Sequence, residues 1–170
     1  MKIARLLAIP AILAAVASGT SAAAAQSASV EQGAPAGAHT ATASLPKVTL
    51  LRSLATGFAL DSNVNGRVYA IPSNGGGYQK WLVNPGSYGG VTLRNWQTGR
   101  CLDSNTSGAV YTLGCNGGSF QSWIAEPAAY GTVALRNVAT GRVLDGNAAH
   151  AVYTLSANGG SYQKWTPVPA

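Results

Sequence analysis

The chain has 170 residues, a formal net charge of +6 and only 9% charged residues. This length allows one small domain rather than several. The arginines are spaced along the chain rather than clustered, and the charge is only mildly basic, so a nucleic-acid partner is not predicted.

The first 25 residues predict a secretory signal peptide. Lys2 and Arg5 precede an uncharged apolar run, and an Ala-x-Ala pattern follows, with cleavage predicted near Ala25. The apolar run is too short to cross a bilayer and no second run follows it, so no membrane span is predicted. We therefore expect a secreted, extracellular protein.

Residues 26–45 are rich in Ala, Ser, Thr, Gly and Pro and contain almost no large apolar residue. Such a segment cannot bury enough surface to fold, which predicts a flexible leader or propeptide. The remaining residues, 46–170, are predicted to form the folded domain.

Three copies of one segment follow each other within this domain. They read "LRSLATGFALDSNVNGRVYAIPSNGGGYQKW" from Leu51, "LRNWQTGRCLDSNTSGAVYTLGCNGGSFQSW" from Leu93 and "LRNVATGRVLDGNAAHAVYTLSANGGSYQKW" from Leu135. The copies align without gaps at a spacing of 42 residues. This regularity identifies an internal repeat, with units of about 48–89, 90–131 and 132–170.

Each repeat predicts about four short β-strands and no helix. In the first copy "VTLLR", "FALD" and "VYAI" are strand-like and are separated by turns that contain Gly and Asn, and "YQKW" is predicted to begin the fourth strand. Three units of four strands favour an all-β chain, a β-trefoil that closes within one molecule. A propeller blade has a similar period, but three blades would need an oligomer to close.

The two cysteines, Cys101 and Cys115, predict one disulfide because the chain is expected to be exported. Two free thiols are the alternative. The residues at the equivalent positions of the other repeats are Ala59 and Ser73 in the first and Val143 and Ala157 in the third. Both positions of the pair therefore change together, as expected for two residues that touch.

A Gln-x-Trp word closes each repeat, and an "LD" pair lies upstream of it. In this respect the chain resembles the ricin B-type lectin family. The fuller wording "LDSN…VYTL…CNGG" is similar to the lectin modules of pierisin-like and mosquitocidal ADP-ribosylating toxins and of secreted actinobacterial proteins. The resemblance covers essentially the whole predicted domain, and it implies a β-trefoil that binds carbohydrate.

Three of the five acidic residues of the chain occupy one position of the repeat, after the "L" of "LD". These residues are Asp61, Asp103 and Asp145. A carboxylate accepts hydrogen bonds from vicinal sugar hydroxyls, and the resemblance assigns this aspartate that role. The alternative is a turn aspartate that bonds its own backbone or a nearby arginine.

Three further positions are candidates for the same sites, each with a structural alternative. The asparagine two residues after the aspartate either completes the polar rim of the site or forms an Asx turn. The tyrosine on the next strand either stacks on the sugar or packs within the domain. The asparagine of "NGG" either contacts the ligand or only forms its turn. They are Asn63, Asn105 and Asn147; Tyr69, Tyr111 and Tyr153; and Asn74, Asn116 and Asn158.

The closing Gln and Trp are predicted to hold the fold first. Trp81, Trp123 and Trp165 should pack in the core, while Gln79, Gln121 and Gln163 satisfy buried backbone groups. The resemblance adds a secondary sugar contact for the glutamines. The aromatic residue before each glutamine (Tyr78, Phe120 and Tyr162) is predicted to pack.

The sequence departs from the ricin-type pattern at the usual stacking position, which holds Ile71, Leu113 and Leu155. This argues against ordinary galactose binding and is the reason the tyrosines are expected to stack instead. The implied partners remain glycans, either galactose-type sugars or other cell-surface and polysaccharide sugars.

Catalysis is poorly supported by the residues present. His150 has no counterpart in the other repeats, and Glu126 is the one acidic residue of the domain outside the repeated position. No cofactor is implied, and a metal site lacks ligands. We predict a non-catalytic, monomeric lectin with up to three equivalent sites; the alternative is a protein-binding or protease-inhibiting trefoil. Arg67 and His150, each unique to one repeat, either tune individual sites or lie on the surface.

Overall fold

The computed structural model describes residues 42–170, and these form twelve short β-strands. The predicted signal peptide and most of the predicted leader lie outside the described residues. The strands are β1 (Val48–Ser53), β2 (Ala59–Ser62), β3 (Val68–Ile71), β4 (Trp81–Pro85), β5 (Val91–Asn95), β6 (Cys101–Ser104), β7 (Val110–Leu113), β8 (Trp123–Pro127), β9 (Val133–Asn137), β10 (Val143–Gly146), β11 (Val152–Leu155) and β12 (Trp165–Pro169). The prediction of an all-β chain with four strands in each repeat is confirmed.

Six of the strands close a barrel. β1 pairs with β12 and β4, β5 pairs with β4 and β8, and β9 pairs with β8 and β12, all antiparallel. The other six strands form three hairpins, β2–β3, β6–β7 and β10–β11, which we call the cap hairpins. This barrel with its cap is the predicted β-trefoil, and a barrel that closes within one chain removes the reason to consider a propeller.

The cap hairpins are joined to one another by three isolated bridges. Arg67 pairs with Tyr111, Tyr69 with Ala151, and Ala109 with Tyr153. Each bridge connects the cap hairpin of one repeat to that of another. The cap is therefore a continuous three-sided surface.

The core contains one tryptophan from each repeat, and all three are fully buried. Each indole N–H donates to the carbonyl of a buried leucine in the cap hairpin of its own repeat. The N–O distances are 3.0 Å from Trp81 to Leu60, 3.1 Å from Trp123 to Leu102 and 3.1 Å from Trp165 to Leu144. The predicted structural role of the tryptophans is confirmed, because they fill the core and satisfy buried backbone groups at the same time.

The fourth strand of each repeat begins at the tryptophan, three residues later than "YQKW" predicts. The glutamine instead ends a 3₁₀ turn, as in Gly77–Gln79. Its side chain bonds the backbone of the preceding segment: in the first repeat Asn74 N donates to Gln79 Oε1 at 2.8 Å and Gln79 Nε2 donates to Pro72 O at 3.2 Å. These bonds draw the chain into a turn where an extended strand was expected.

Two residues assigned to the leader contact the domain. Ala43 N donates to Ala125 O at 2.7 Å, and Ala43 and Leu45 pack against the core. The contacts of the domain therefore begin at least three residues before residue 46. Residues 42–170 contain no helix that is long and apolar enough to cross a membrane.

The predicted disulfide is present between Cys101 and Cys115, with 5.0 Å between the two Cα atoms. It ties β6 to the segment after β7, within one cap hairpin of the second repeat. The alternative of two free thiols is excluded.

Replacing both cysteines tests what this bond contributes. Cys101→Val with Cys115→Ala reproduces the residues that the third repeat carries, so the side chains should fit. We expect the free energy of unfolding in urea to fall by about 3 kcal/mol, the entropy of closing a loop of this length in the unfolded chain. An unchanged urea midpoint would show that the second repeat is held as firmly as the third without the bond.

Candidate functional site

Each cap hairpin places an aspartate directly opposite a tyrosine. In the β2–β3 pair Asp61 faces Tyr69, and the same register joins Asp103 to Tyr111 and Asp145 to Tyr153. Directly opposite residues of an antiparallel pair lie on the same face of the sheet with their side chains in contact range. The structure thus brings together the two residue types that the sequence singles out as carboxylate and aromatic platform.

The position of each aspartate follows from the leucine before it. Leu60 points into the core, where its carbonyl accepts the Trp81 indole N–H, so Asp61 points to the other face of the strand. The aspartates are nevertheless deeply set, with exposed fractions of 2% for Asp61, 4% for Asp103 and 4% for Asp145. The aspartates therefore present little of their surface to solvent.

Burial changes the acidity of these carboxyls. Loss of solvation raises the pKa of Asp61, Asp103 and Asp145 above the ordinary value of 3.8, and the side chains of the closing glutamine and the facing tyrosine oppose part of the rise. In the first repeat one carboxylate oxygen, Asp61 Oδ1, is buried with no hydrogen-bond partner among the described residues. The site therefore holds an acceptor that the domain itself leaves unsatisfied.

The same carboxyls raise the pKa of the facing tyrosines. Burial is the largest cause for Tyr69, Tyr111 and Tyr153, and the neighbouring aspartate adds to it. A tyrosine whose pKa is raised stays protonated at neutral pH and keeps its hydroxyl as a donor. This agrees with a phenol that supports the carboxylate and does not titrate in the site.

The asparagines two residues after the aspartates form Asx turns. Asn105 Oδ1 accepts hydrogen bonds from Ser107 N at 3.1 Å and Ala109 N at 3.0 Å, and Asn63 and Asn147 make the equivalent bonds. The turn alternative is therefore correct for the oxygen atom. The amide NH₂ group donates no hydrogen bond within this turn, and in the third repeat the Asn147 side chain hydrogen-bonds Tyr153.

The "NGG" asparagines are also turn residues, since Asn116 Oδ1 accepts from Gly118 N at 2.8 Å and the other two copies repeat this bond. The closing glutamines lie beneath the turn. Gln79 and Gln121 are fully buried and Gln163 is 2% exposed, and both polar atoms of each amide bond the backbone. Their predicted structural role is confirmed, whereas a direct sugar contact has no accessible amide atom to make it.

In the second repeat the predicted residues line one shallow pocket of about 190 Å³. Its wall contains Asp103, Asn105, Tyr111 and Asn116, four of the five residues predicted for this repeat. The fifth, Gln121, does not line it. The sequence therefore identifies most of the residues that line the pocket. The positions that recur in all three repeats lie next to one another within the second repeat.

Phe120 also lines this pocket, and the sequence reasoning missed it. It was predicted to pack, yet its side chain is 40% exposed, and Tyr162 at the equivalent position is 43% exposed. The reason is the 3₁₀ turn, which buries the following glutamine and turns the aromatic ring outward. The recurrence of an aromatic residue before each glutamine is the signal that could have found it.

The position at which the ricin-type pattern has a stacking residue carries exposed leucines in the second and third repeats. Leu113 and Leu155 are 48% and 42% exposed, and they lie two residues beyond Tyr111 and Tyr153 on the same strand face. They add apolar surface beside the tyrosine without an aromatic ring.

Glu126 is held by an arginine. Arg136 Nε contacts Glu126 Oε1 at 2.6 Å and Arg136 Nη2 contacts Oε2 at 2.9 Å, and this pairing raises the pKa of the arginine. In residues 42–170 no group of three or more His, Cys, Asp or Glu is arranged to hold a metal ion.

The raised carboxyl pKa values predict a dependence of stability on pH. Between pH 3.8 and the raised pKa values, the folded protein binds protons that the unfolded chain has released, so the free energy of unfolding should fall as pH rises through this window. Urea denaturation at a series of pH values measures this slope. The Asp61→Asn, Asp103→Asn, Asp145→Asn variant should lose it, and an equal slope in the variant would contradict the assignment.

With this geometry in hand, the family can be assigned. Residues 77–165 match the family described as ricin-type β-trefoil lectin domain-like. The designed three-fold symmetric protein ThreeFoil is similar at 28% identity and a TM-score of 0.68, over 73% of this chain and 99% of that chain.

Two enzymes share the fold at lower identity. The exo-β-1,3-galactanase 1,3Gal43A from Clostridium thermocellum is 21% identical with a TM-score of 0.68, over 73% of this chain and 30% of that chain. The endo-β-galactosidase from Clostridium perfringens that releases GlcNAcα1-4Gal is 18% identical with a TM-score of 0.66, over 73% of this chain and 33% of that one. This chain thus spans about a third of either enzyme. By its sequence match and its barrel with three cap hairpins, the chain belongs to the ricin-type β-trefoil lectin domain-like family.

Proposed function

We propose that this protein is a secreted, non-catalytic lectin with up to three equivalent shallow sugar sites, one at each Asp–Tyr pair of the cap hairpins. The observation that carries the proposal is the pocket of the second repeat, where a carboxylate, two asparagines and two aromatic rings share one mouth. Membership of a lectin-like family supports the same conclusion. The disulfide supports an oxidising, extracellular location.

The chemistry of the pocket suits a pyranose. The Asp103 carboxylate accepts hydrogen bonds from sugar hydroxyls, and the Asn105 amide donates to sugar oxygens. The rings of Tyr111 and Phe120 offer apolar faces on which the C–H face of a sugar packs. Exposed Leu113, in place of the usual aromatic residue, favours sugars other than a simple terminal galactose.

Three copies of such a site suit a ligand that is displayed repeatedly. A pocket of about 190 Å³ holds one sugar unit and gives weak binding on its own. Simultaneous contact with several sites on one surface multiplies the apparent affinity. We therefore propose polysaccharides or cell-surface glycans as partners of a monomeric protein.

A glycan array probed with the wild type and with the Asp61→Asn, Asp103→Asn, Asp145→Asn variant tests the proposal. Asparagine keeps the shape of aspartate, so the variant should remain folded by circular dichroism while its array signal falls to background. A folded variant that keeps the wild-type signal would remove the aspartates from the site. Binding to a protein target that free sugar does not compete would favour the protein-binding alternative.

The contribution of Phe120 is best measured with the second site alone. In a background of Asp61→Asn and Asp145→Asn, Phe120→Ala should weaken binding of an array-positive sugar by about 2- to 10-fold, the equivalent of one aromatic contact. Phe120→Tyr restores the residue type of the other repeats and should leave the affinity, measured by calorimetry, close to its starting value. Equal affinities for the alanine and tyrosine variants would return Phe120 to a packing role.

A further inference from the structure

A second and larger cavity, of about 520 Å³, lies where the three cap hairpins meet. Val68, Val110 and Val152, which are equivalent residues of the three repeats, contribute to its lining. We call it the axial cavity, because each of the three repeats supplies one of these valines. It is distinct from the pocket of the second repeat, with which it shares no lining residue.

The walls of the axial cavity break the symmetry of its valines. Arg67 lines it, although the second and third repeats have alanine at this position, and His150 lines it, although the first two repeats have glycine there. The two residues that are unique to single repeats thus line one cavity. Arg67 lies beside its bridge to the second repeat, and His150 lies at the junction between the third and first repeats.

The junction between the third and first repeats, which contains the His150 imidazole, differs from the other two junctions between cap hairpins. At the other two junctions a glycine approaches a carbonyl so closely that an added Cβ would lie 2.7 Å from Thr112 O at Gly66 and 2.6 Å from Thr154 O at Gly108. The corresponding backbone bond is 2.8 Å at both of those junctions but 3.1 Å from Ala70 N to His150 O. The third junction is therefore wider.

A residue next to His150 also differs from its counterparts in the other repeats. The position that is Arg100 and Arg142 in two repeats is Phe58 in the first, and its ring stacks on His150 with 4.8 Å between the centroids and an interplanar angle of 22°. His150 Nδ1 lies 2.7 Å from Ala70 O, so this nitrogen carries the hydrogen and Nε2 is left for another partner.

The backbone of His150 is also unusual. Its φ is +69°, in the left-handed region that the equivalent glycines Gly66 and Gly108 occupy at +84° and +92°. Residues with a side chain rarely adopt this conformation, so the backbone of His150 is strained. Strain of this kind persists where the surroundings enforce it, and it concentrates at sites with a function.

The lining of the axial cavity selects a ligand chemistry. It offers the Arg67 guanidinium, the His150 imidazole and Tyr69 above a floor of valines, and none of the described residues that line it is acidic. A guanidinium is a permanent cation with paired donors that match a carboxylate. An anionic group attached to a compact body with an apolar face is the complementary ligand.

We propose that the axial cavity binds a uronic acid residue of an acidic polysaccharide, with its carboxylate on Arg67 and the C–H face of its ring on the valines. This rests on the proposed function, since it names one sugar class for a protein that binds glycans. Tyr69 belongs both to the axial cavity and to the Asp–Tyr pair of the first repeat, so neighbouring sugars of one chain reach both places.

The test compares two matched pairs of ligands by calorimetry and by amide chemical shifts of the purified protein. The methyl glycosides of glucuronic and galacturonic acid are titrated beside those of glucose and galactose, which differ only at C6. At least one uronide should bind about tenfold more tightly than its neutral parent, and the shifts should map to residues 67–71 and 149–152.

The repeats themselves supply the control variants. Arg67→Ala and His150→Gly introduce the residues found at the equivalent positions, so both variants should fold. Arg67→Ala should weaken uronide binding about tenfold and leave neutral glycans bound as before. Shifts on the Asp103–Tyr111 and Asp145–Tyr153 pairs in place of residues 67–71 and 149–152, equal affinities for acidic and neutral partners, or an unchanged uronide affinity in Arg67→Ala would each overturn the proposal.

The Asp61→Asn, Asp103→Asn, Asp145→Asn variant separates this proposal from the lectin function. Uronide binding that survives in this variant supports the axial cavity, even if no neutral glycan binds the wild type and the Asp–Tyr sites fail. Uronide binding that disappears with the three aspartates would assign the sugar to those sites and leave the axial cavity without a ligand.

Discussion

The hydrogen bond from the buried tryptophan to the leucine carbonyl connects the core of each repeat to its candidate site. The tryptophan begins the fourth strand, and its indole N–H reaches back to the strand that carries the "LD" pair. Because both groups are buried, the loss of either partner would leave the other unsatisfied at a cost of about 1–3 kcal/mol. The bond fixes the position and orientation of the leucine backbone, and this also sets the position of the aspartate that follows.

The closing glutamine completes this arrangement from the other side. Its amide bonds two backbone groups of the segment before it, and this shapes the 3₁₀ turn that turns an aromatic ring outward at Phe120. The Gln-x-Trp word thus acts through the residues that it positions. A carboxylate that is costly to bury is held at the base of a mouth, with an aromatic ring and amide donors around it. Burying a carboxylate in this way costs stability, and proteins commonly accept such a cost at functional sites.

Repetition explains how much of this could be predicted. The gapless period of 42 residues and the strand-like segments within it predicted the trefoil. Two cysteines in a chain expected to be exported predicted the disulfide, and the joint absence of both from the other repeats supported it. Asp103 and Tyr111 were correctly grouped because strand register follows from the short loop between them. The orientation of Phe120 was missed because it depends on side-chain bonds of Gln121 that no periodicity reveals.

The sequence also could not show that Arg67 and His150 line the same cavity. The two residues belong to the first and third repeats, and His150 bonds a residue 80 positions away. The closed cap, in which the hairpins of the three repeats are bridged to one another, places both residues in the lining of the axial cavity. Departures from a repeat become informative when the three-fold arrangement is known, because each departure can then be compared with two internal references.

A crystal structure of the protein with a sugar selected on a glycan array would test the central claim most directly. The account predicts a pyranose in the second repeat, with hydroxyls on the Asp103 carboxylate and its C–H face on Tyr111 or Phe120, and equivalent density in at least one other repeat. A sugar bound away from all three Asp–Tyr pairs and from the axial cavity would contradict it.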